Sequence, residues 1–428
     1  MANVNELDFN EYLCEKYNEA NELNRKQRRD EAVYIFEELV DLIDTQEDYY
    51  TELTIKIFSN YAQTLASMGR FREASQYEER AFEIVFDVTS EVEIINIVTQ
   101  NLARYYYKLG RYVDAAQTLI TAITTIAEVQ GGNETLEPNV LQDARVYAKA
   151  CIKTQEYDTA IKLDEVLFKG NLSKFGKYSA ETIESQSDLA WDYFKSGDSL
   201  SAKNICVDIL DAVYVVFGKF SEAGIEAKRM LALFTGNCGE IETATSMLWE
   251  TLAYCDNELG ENVDETIQIL ETLQMMTGVS GKSEDVLFCA KRLRVLHEQK
   301  NGSYSTEVIN DEYNIASSLS LLERNQESLD ASEILLKKAK EMNMDEGFQL
   351  KVNLLVAHNL NNVARNEEAL KILRYAVPML EKRCADGLEN PLRLHSVKFD
   401  LLIALSATGN DEEAIKIADE LLNTDYGF

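Results

Sequence analysis

The residues of this 428-residue chain best suited to acid–base or metal chemistry are its three histidines. His297, His358 and His395 lie far apart, and none has a carboxylate or thiol at the spacing of a catalytic triad or a metal site. A single histidine in a helical segment is usually packed or solvated. No glycine-rich phosphate-binding motif followed by Ser or Thr occurs at a strand–helix junction. The sequence therefore predicts no catalytic residues and no metal site.

The seven cysteines give no further chemistry. They are dispersed, no C-x-x-C pair occurs, and they fall at Cys14, Cys151, Cys206, Cys238, Cys255, Cys289 and Cys384. An odd, scattered set on helical segments is typical of reduced cysteines that act as small apolar residues. We therefore predict no disulfide and no cofactor.

The charge of the chain excludes several classes of partner. Its 42 basic and 74 acidic residues give a formal net charge of −32. Nucleic-acid binding needs clustered Lys and Arg, and an anionic membrane surface attracts the same residues. No apolar run approaches the roughly 20 residues of a membrane span, and the opening MANVNELDFNEYLCEKYNEA lacks the features of a secretion signal. These features predict a cytoplasmic protein with no nucleic-acid and no membrane partner.

The strongest pattern is a small residue that recurs every 41 to 45 residues, five positions after a turn. Eight of its ten members are alanine: Ala32, Ala74, Ala115, Ala160, Ala202, Ala244, Val286, Ser328, Ala369 and Ala414. Small side chains at a fixed helical spacing mark close approach of two helices. With only 3 prolines and 19 glycines, the chain is predicted to be all-α and built as a stack of helical hairpins.

A second small residue precedes each turn by seven positions. The series is Ala20, Ala62, Ala103, Ala148, Ala190, Ala232, Gln274, Ala316, Ala357 and Leu402. The clearest units, 60–82, 101–123 and 188–210, also carry an aromatic or Leu on the first helix. F-G-K-x-S recurs after the second helix, at 175–179 and 217–221.

This spacing resembles the tetratricopeptide repeat (TPR), and the period near 42 resembles the longer-helix repeats of kinesin light chain. The resemblance covers nearly the whole chain. It implies a TPR-like superhelix, a right-handed α-solenoid of about ten antiparallel helical hairpins, with a groove that binds proteins or peptides. The sequence thus predicts one solenoid over residues 1–428. Repeat seven departs from the pattern at Gln274 and Val286, which predicts a softer joint at 278–304 between 1–277 (repeats 1–6) and 305–428 (repeats 8–10).

The first helix of each hairpin is predicted to line the concave face of the solenoid. Its five inward positions are counted from the small residue on that helix, in the series from Ala20 to Leu402. They lie six and three positions before this residue and one, four and five positions after it. Over ten repeats these fifty positions hold ten basic and three acidic residues. A random draw of thirteen charges from this chain would include about five basic ones. The inner face is therefore predicted to oppose the charge of the whole chain.

Two interpretations of this face are open. Long Lys and Arg stems can simply extend between well-packed helices. Alternatively, the face is a basic groove with aromatic anchors that holds an acidic or carboxylate-bearing peptide. The resemblance supports the second, since kinesin light chain-like repeats bind peptides with an aromatic among acidic residues. The predicted groove residues are Arg104, Tyr107, Lys108, Arg145, Lys149, Lys153, Trp191, Phe194, Lys195 and Arg229.

The preferred functional hypothesis is a non-catalytic protein- or peptide-binding scaffold with an acidic partner. The alternative is a peptide-responsive intracellular regulator, that is, a signal-peptide receptor. Its effector is expected to be a separate protein, because the first repeat starts by about residue 11 and leaves no space for an effector domain before it. The third and least supported hypothesis is an enzyme that uses the groove as its active site. The charged outer positions of the last hairpin, 411–424, predict a solvated cap and a monomer.

Overall fold

The structure is a computed structural model that describes residues 6–46, 49–129, 138–259 and 263–423. Two compact units divide the chain, 1–227 and 228–428. The helices of the first unit are α1 (Glu6–Arg25), α2 (Arg29–Asp44), α3 (Glu52–Ser67), α4 (Phe71–Val88), α5 (Val92–Lys108), α6 (Tyr112–Val129), α7 (Pro138–Lys153), α8 (Tyr157–Phe175), α9 (Ala180–Ser196) and α10 (Ser199–Val216). The boundary falls inside α11 (Glu222–Asn237).

The second unit continues the same alternation of helices. It contains α12 (Ile241–Tyr254), a π-helical turn (Cys255–Leu259), α13 (Val263–Val279), α14 (Ser283–Asn301), α15 (Thr306–Leu321), α16 (Asn325–Glu341), α17 (Glu346–Asn362), α18 (Asn366–Ala385), α19 (Pro391–Ala407) and α20 (Asp411–Asn423). No strand occurs in the part of the chain that the structure describes. In that part, too, no helix is long and apolar enough to cross a bilayer.

Each unit is an α-solenoid, which confirms the predicted fold class. From α1 to α10, and again from α12 to α20, every helix packs against the helix before it and the helix after it. We call the first helix of each hairpin its A-helix and the second its B-helix. A-helices of successive hairpins also touch, from α1 through α3 and α5 to α7 in the first unit and from α15 through α17 to α19 in the second. The A-helices therefore form adjoining rows.

The recurring small residues lie where the helices approach most closely. Nine of the ten B-helix positions are buried, eight of them completely, and only Val286 is partly exposed. On the A-helices, the eight alanines are likewise fully or almost fully buried. A larger side chain at these places would have to displace a neighbouring helix. The repeat predicted from the sequence therefore marks the recurring sites of close helix–helix packing.

Every A–B turn contains one residue with positive φ, always five positions before the B-helix small residue. Six are Gly69, Gly110, Gly197, Gly239, Gly281 and Gly409, and four are Gln27, Gln155, Glu323 and Ala364. At Gly69 the turn satisfies two helix carbonyls, because Gly69 N donates to Ala66 O and Arg70 N donates to Leu65 O, both at 3.0 Å. The same turn geometry recurs in every hairpin, even where glycine is absent.

An arginine–carboxylate pair recurs at five of these turns. The residue before the B-helix is Arg, and its guanidinium binds the carboxylate three positions later. The pairs are Arg28–Glu31, Arg70–Glu73, Arg111–Asp114, Arg324–Glu327 and Arg365–Glu368. Because these groups are largely solvated, each pair adds at most about 1 kcal/mol to stability.

The F-G-K-x-S motif acts at the opposite end of the hairpin, where one repeat leads into the next. Gly176 and Gly218 have positive φ and end their helices. The Ser179 hydroxyl accepts a hydrogen bond from Thr182 N at 3.1 Å, and the Ser221 hydroxyl accepts one from Gly224 N at 3.0 Å. The motif therefore ends a B-helix and caps the next A-helix.

Repeat seven keeps its hairpin, α13 and α14, despite the unusual side chains. Gln274 is only partly buried, and its Oε1 accepts a long hydrogen bond of 3.4 Å from Asn314. Among the described residues, the buried Gln274 Nε2 has no partner. The predicted softer joint at 278–304 lies within the second unit, whereas the unit boundary lies at 227–228. The joint stays a prediction.

Ser328 replaces the usual B-helix alanine with a polar side chain that is fully buried. Its hydroxyl donates to Ala316 O at 2.7 Å and accepts from Asn359 Nδ2 at 2.8 Å. Asn359 is also fully buried, and its Oδ1 accepts from Ser320 at 2.9 Å. The serine thus belongs to a hydrogen-bond network that joins hairpins eight and nine.

Restoring alanine at this position should destabilise the second unit. We expect Ser328→Ala to lower the free energy of unfolding by about 1–3 kcal/mol, because it removes one of the two acceptors of the buried Asn359 amide. Urea denaturation of Ser328→Ala, Asn359→Ala and the double variant gives the coupling energy. A coupling near zero, or a Ser328→Ala chain as stable as the parent, would contradict this assignment.

Candidate functional site

The predicted groove residues of the first unit lie on three A-helices, α5, α7 and α9. The helices α5 and α7 touch directly, and α8 packs against both α7 and α9. The positions named from the sequence therefore fall on neighbouring elements of one unit. We call this surface the A-helix face of hairpins three to five.

Four lysines on this face remain exposed, and we call them the lysine row: Lys108, Lys149, Lys153 and Lys195. In the described part of the chain, none of the four forms an ion pair with a carboxylate. Three of them, Lys108, Lys153 and Lys195, lie in the last turn of their helix, where a positive charge also complements the helix dipole. Lys149 is in mid-helix and has no such role.

The two arginines of this face are less available than the sequence suggested. Arg145 Nη1 lies 2.7 Å from Glu184 Oε2, and its Nε lies 3.8 Å from Asp188 Oδ2. Arg104 approaches Asp143 at 4.0 Å. The count of inner positions included Glu184 but not Asp143 or Asp188, which lie at the margins of the inward stripe. Part of the predicted basic charge is therefore neutralised within the protein.

The three aromatic residues are all partly buried. Trp191 and Phe194 contact each other edge to face, with ring centroids 5.7 Å apart. Tyr107 packs between Tyr112 and Tyr147, at centroid distances of 5.3 and 5.2 Å. Tyr107 thus contributes mainly to the core between hairpins three and four, whereas the Trp191–Phe194 pair lies on the same helix as Lys195.

The remaining predicted groove residue, Arg229, belongs to the second unit. It is partly buried, and its Nη1 donates to Thr272 Oγ1 of α13 at 3.3 Å. Nine of the ten predicted residues therefore lie in the first unit and one in the second.

A cluster of buried carboxyl groups lies among these cations, and the sequence interpretation did not identify it. Asp164 of α8 is hydrogen bonded to Asp192 of α9, and both are almost fully buried. Burial raises the pKa of Asp164, and the hydrogen bond to Asp192 raises it further. Burial also raises the pKa of Asp192 and of Asp188, partly offset by nearby Lys149. In the sequence, the only indication of this cluster is that Asp188 and Asp192 lie two positions before and two positions after Ala190.

Two histidines have carboxylate partners from a neighbouring hairpin. His297 Nδ1 lies 2.7 Å from Asp311 Oδ2 with both groups buried, and burial raises the pKa of Asp311 to about 6. His358 Nδ1 lies 3.0 Å from Asp400, and this hydrogen bond raises the pKa of His358. The sequence spacing did not reveal either pair. In the described residues, no group of three or more His, Cys, Asp or Glu could hold a metal ion.

No protein-family model matches this sequence, and no curated protein matches it. Among solved structures, the chain resembles a Pyrococcus horikoshii signal transduction ATPase with numerous domains and a tetratricopeptide repeat sensor. The TM-score is 0.51 with 11% identity, over 88% of this chain and 53% of that one. This likeness shows the fold: the chain is a TPR-like helical-repeat protein.

Two further similar structures have lower scores. A putative kinesin light chain with nearly identical TPR-like repeats from Podospora anserina has a TM-score of 0.44 and 13% identity, over 50% of this chain and all of that one. A Rap protein complexed with competence and sporulation factor has a TM-score of 0.39 and 13% identity, over 86% of this chain and 96% of that one.

Proposed function

We propose that this chain is a non-catalytic scaffold whose A-helix face of hairpins three to five holds an acidic or carboxylate-bearing peptide segment. The lysine row carries the proposal. Four exposed ammonium groups without ion-paired carboxylates lie on neighbouring helices of a chain with a net charge of −32, and they concentrate positive charge on this face.

The Trp191–Phe194 pair supports an aromatic or apolar residue within the bound segment. These rings are partly exposed and lie on the helix that carries Lys195. Aromatic pockets dominate the affinity of peptide interfaces, while surrounding charges steer the encounter. A segment with one large apolar residue between acidic residues matches both features.

The overall negative charge contributes to selectivity. At physiological salt the field of a surface charge is screened over about 8 Å. A folded acidic protein would meet the acidic exterior before reaching the lysine row, whereas a thin extended segment could approach the lysines closely. The preferred ligand is therefore an unfolded acidic segment.

The test uses charge reversal of exposed, unpaired lysines. We expect Lys108→Glu combined with Lys153→Glu, which leaves Lys149 and Lys195 beside the buried Asp188 and Asp192, to weaken binding of a fluorescent Glu/Asp-rich peptide with one central Trp by at least tenfold, measured by fluorescence anisotropy with the full chain. Arg145→Glu is unsuitable for this test, because it would place a third carboxylate beside Glu184 and Asp188 and destabilise the fold.

The matched control is Lys162→Glu, on the exposed side of the B-helix α8. It changes the net charge of the chain in the same direction, but it lies outside the lysine row and should leave the affinity within about twofold of the parent. Unchanged affinity after reversal of Lys108 and Lys153, with helicity retained by circular dichroism, would refute the proposal.

A further inference from the structure

A separate polar cavity lies between α1 and α3, the A-helices of the first two hairpins. Its volume is about 440 Å³, and it opens to solvent near the A–B turn of the first hairpin. None of its lining residues belongs to the A-helix face of hairpins three to five. The cavity is therefore distinct from the proposed peptide site.

The cavity is positively charged. Arg25 and Arg29 line it, and none of its described lining residues is Asp or Glu. Neither guanidinium forms an ion pair in the described part of the chain. The adjacent Arg28, in contrast, is paired with Glu31 in the recurrent turn motif. Arg25 does lie near Glu22, but that carboxylate is paired with Lys26 at 2.9 Å.

The position of Arg29 is unfavourable for the fold alone. Arg29 is the first residue of α2, where the helix dipole is positive and a cation is disfavoured. No side chain caps this helix end. Asp30 and Glu31 in the first turn of α2 offset the helix dipole, so the positive charge at the cavity comes from the two guanidinium groups, which an anion would stabilise.

The rest of the lining consists of amides and hydroxyls. Asn24 Nδ2 donates to Thr64 Oγ1 at 2.7 Å, and Asn60 Nδ2 donates to Asn21 Oδ1 at 3.3 Å, which holds these side chains in place. The amides of Gln27 and Gln63 have no hydrogen-bond partner among the described residues. Such a lining suits a ligand that carries peptide-like or hydroxyl groups beside its anionic group.

We propose that this cavity is an oxyanion-binding site, in which Arg25 and Arg29 hold a carboxylate or phosphate group of a small polar ligand. The guanidinium groups form charge-assisted hydrogen bonds to the oxyanion. The amides of Gln27 and Gln63 bind the polar groups next to it.

Isothermal titration calorimetry of the full chain at about 50 mM salt tests this site. The probes are N-acetylglycylglycine, its C-terminal amide and inorganic phosphate. We expect saturable binding of N-acetylglycylglycine or phosphate, and at least tenfold weaker binding of the amide. Tighter binding of the first probe identifies a carboxylate ligand, and tighter binding of phosphate identifies a phosphate ester.

Arg25→Gln combined with Arg29→Gln should weaken binding of the oxyanion by at least tenfold. Arg28→Gln is the matched control, because it removes a neighbouring guanidinium outside the cavity lining and should change the affinity by less than about twofold. Circular dichroism checks the fold of each variant. Absence of saturable binding by both oxyanions, equal binding of the amide, or equal losses in the Arg28 control would overturn the assignment.

Discussion

Gly224→Ala should lower the free energy of unfolding of the first unit by about 3 kcal/mol, the upper part of the range for overpacking. Gly224 lies in the first turn of α11, and the chain passes directly over it. A Cβ atom there would lie 2.5 Å from the carbonyl oxygens of both Gly218 and Lys219. Because these are backbone atoms, no rotamer change can relieve the overlap. Thermal or urea denaturation of the full chain measures the loss.

Gly278→Ala is the matched control for this substitution. Gly278 is also helical, but a Cβ atom there would meet only Val286 Cγ2, at the ordinary distance of 3.9 Å. We expect the alanine to stabilise the second unit by about 0.5–1 kcal/mol, through the higher helix propensity of alanine. Equal effects of the two substitutions would show that the close approach at Gly224 does not constrain the fold.

Asp164→Asn should stabilise the first unit, and the gain should grow as the pH rises from 4 to 8. The folded chain holds a proton on Asp164 at a higher pH than the unfolded chain, because burial and the hydrogen bond to Asp192 raise its pKa. Above the ordinary pKa near 4, the unfolded state loses this proton first, so rising pH favours unfolding. Each pH unit up to the raised pKa lowers the free energy of unfolding by about 1.4 kcal/mol.

An asparagine removes this penalty, since its neutral amide can still donate to Asp192. Denaturation midpoints at pH 5 and pH 8 provide the measurement, with Asp208→Asn on the exposed surface of α10 as control. The gain for Asp164→Asn should be clearly larger at pH 8. A pH-independent difference, or a loss of stability at pH 8, would show that Asp164 is ionised in the folded chain.

Much of the fold could be predicted from the sequence. The B-helix small residues, from Ala32 to Ala414, located the hairpins and the turns within them, including the turns at Gln27 and Gln155 where no glycine is present. This success has a physical reason. A helical hairpin is stabilised mainly by contacts between residues that are close in sequence, so its packing requirements repeat with the period of the chain.

The sequence located the lysines of the candidate site but not the groups around them. Lys149 and Lys195 are exposed as expected, whereas Arg145 is bound by Glu184 and Asp188 from the next hairpin. The periodic pattern identifies which side of a helix faces inward. It does not state how far a side chain at the margin of that side reaches across to the neighbouring helix.

The sequence by itself determined the helical repeat, the turn positions and the dispersal of residues that could support catalysis. Only the tertiary structure decided which ionisable groups meet: Asp164 with Asp192, Asp311 with His297, and, among the described residues, no carboxylate with Arg25 or Arg29. The reason is that backbone packing depends on small residues at regular intervals, whereas ion pairing and burial depend on distances of a few ångströms between side chains of different hairpins. Those distances follow from the packed arrangement and not from the spacing along the chain.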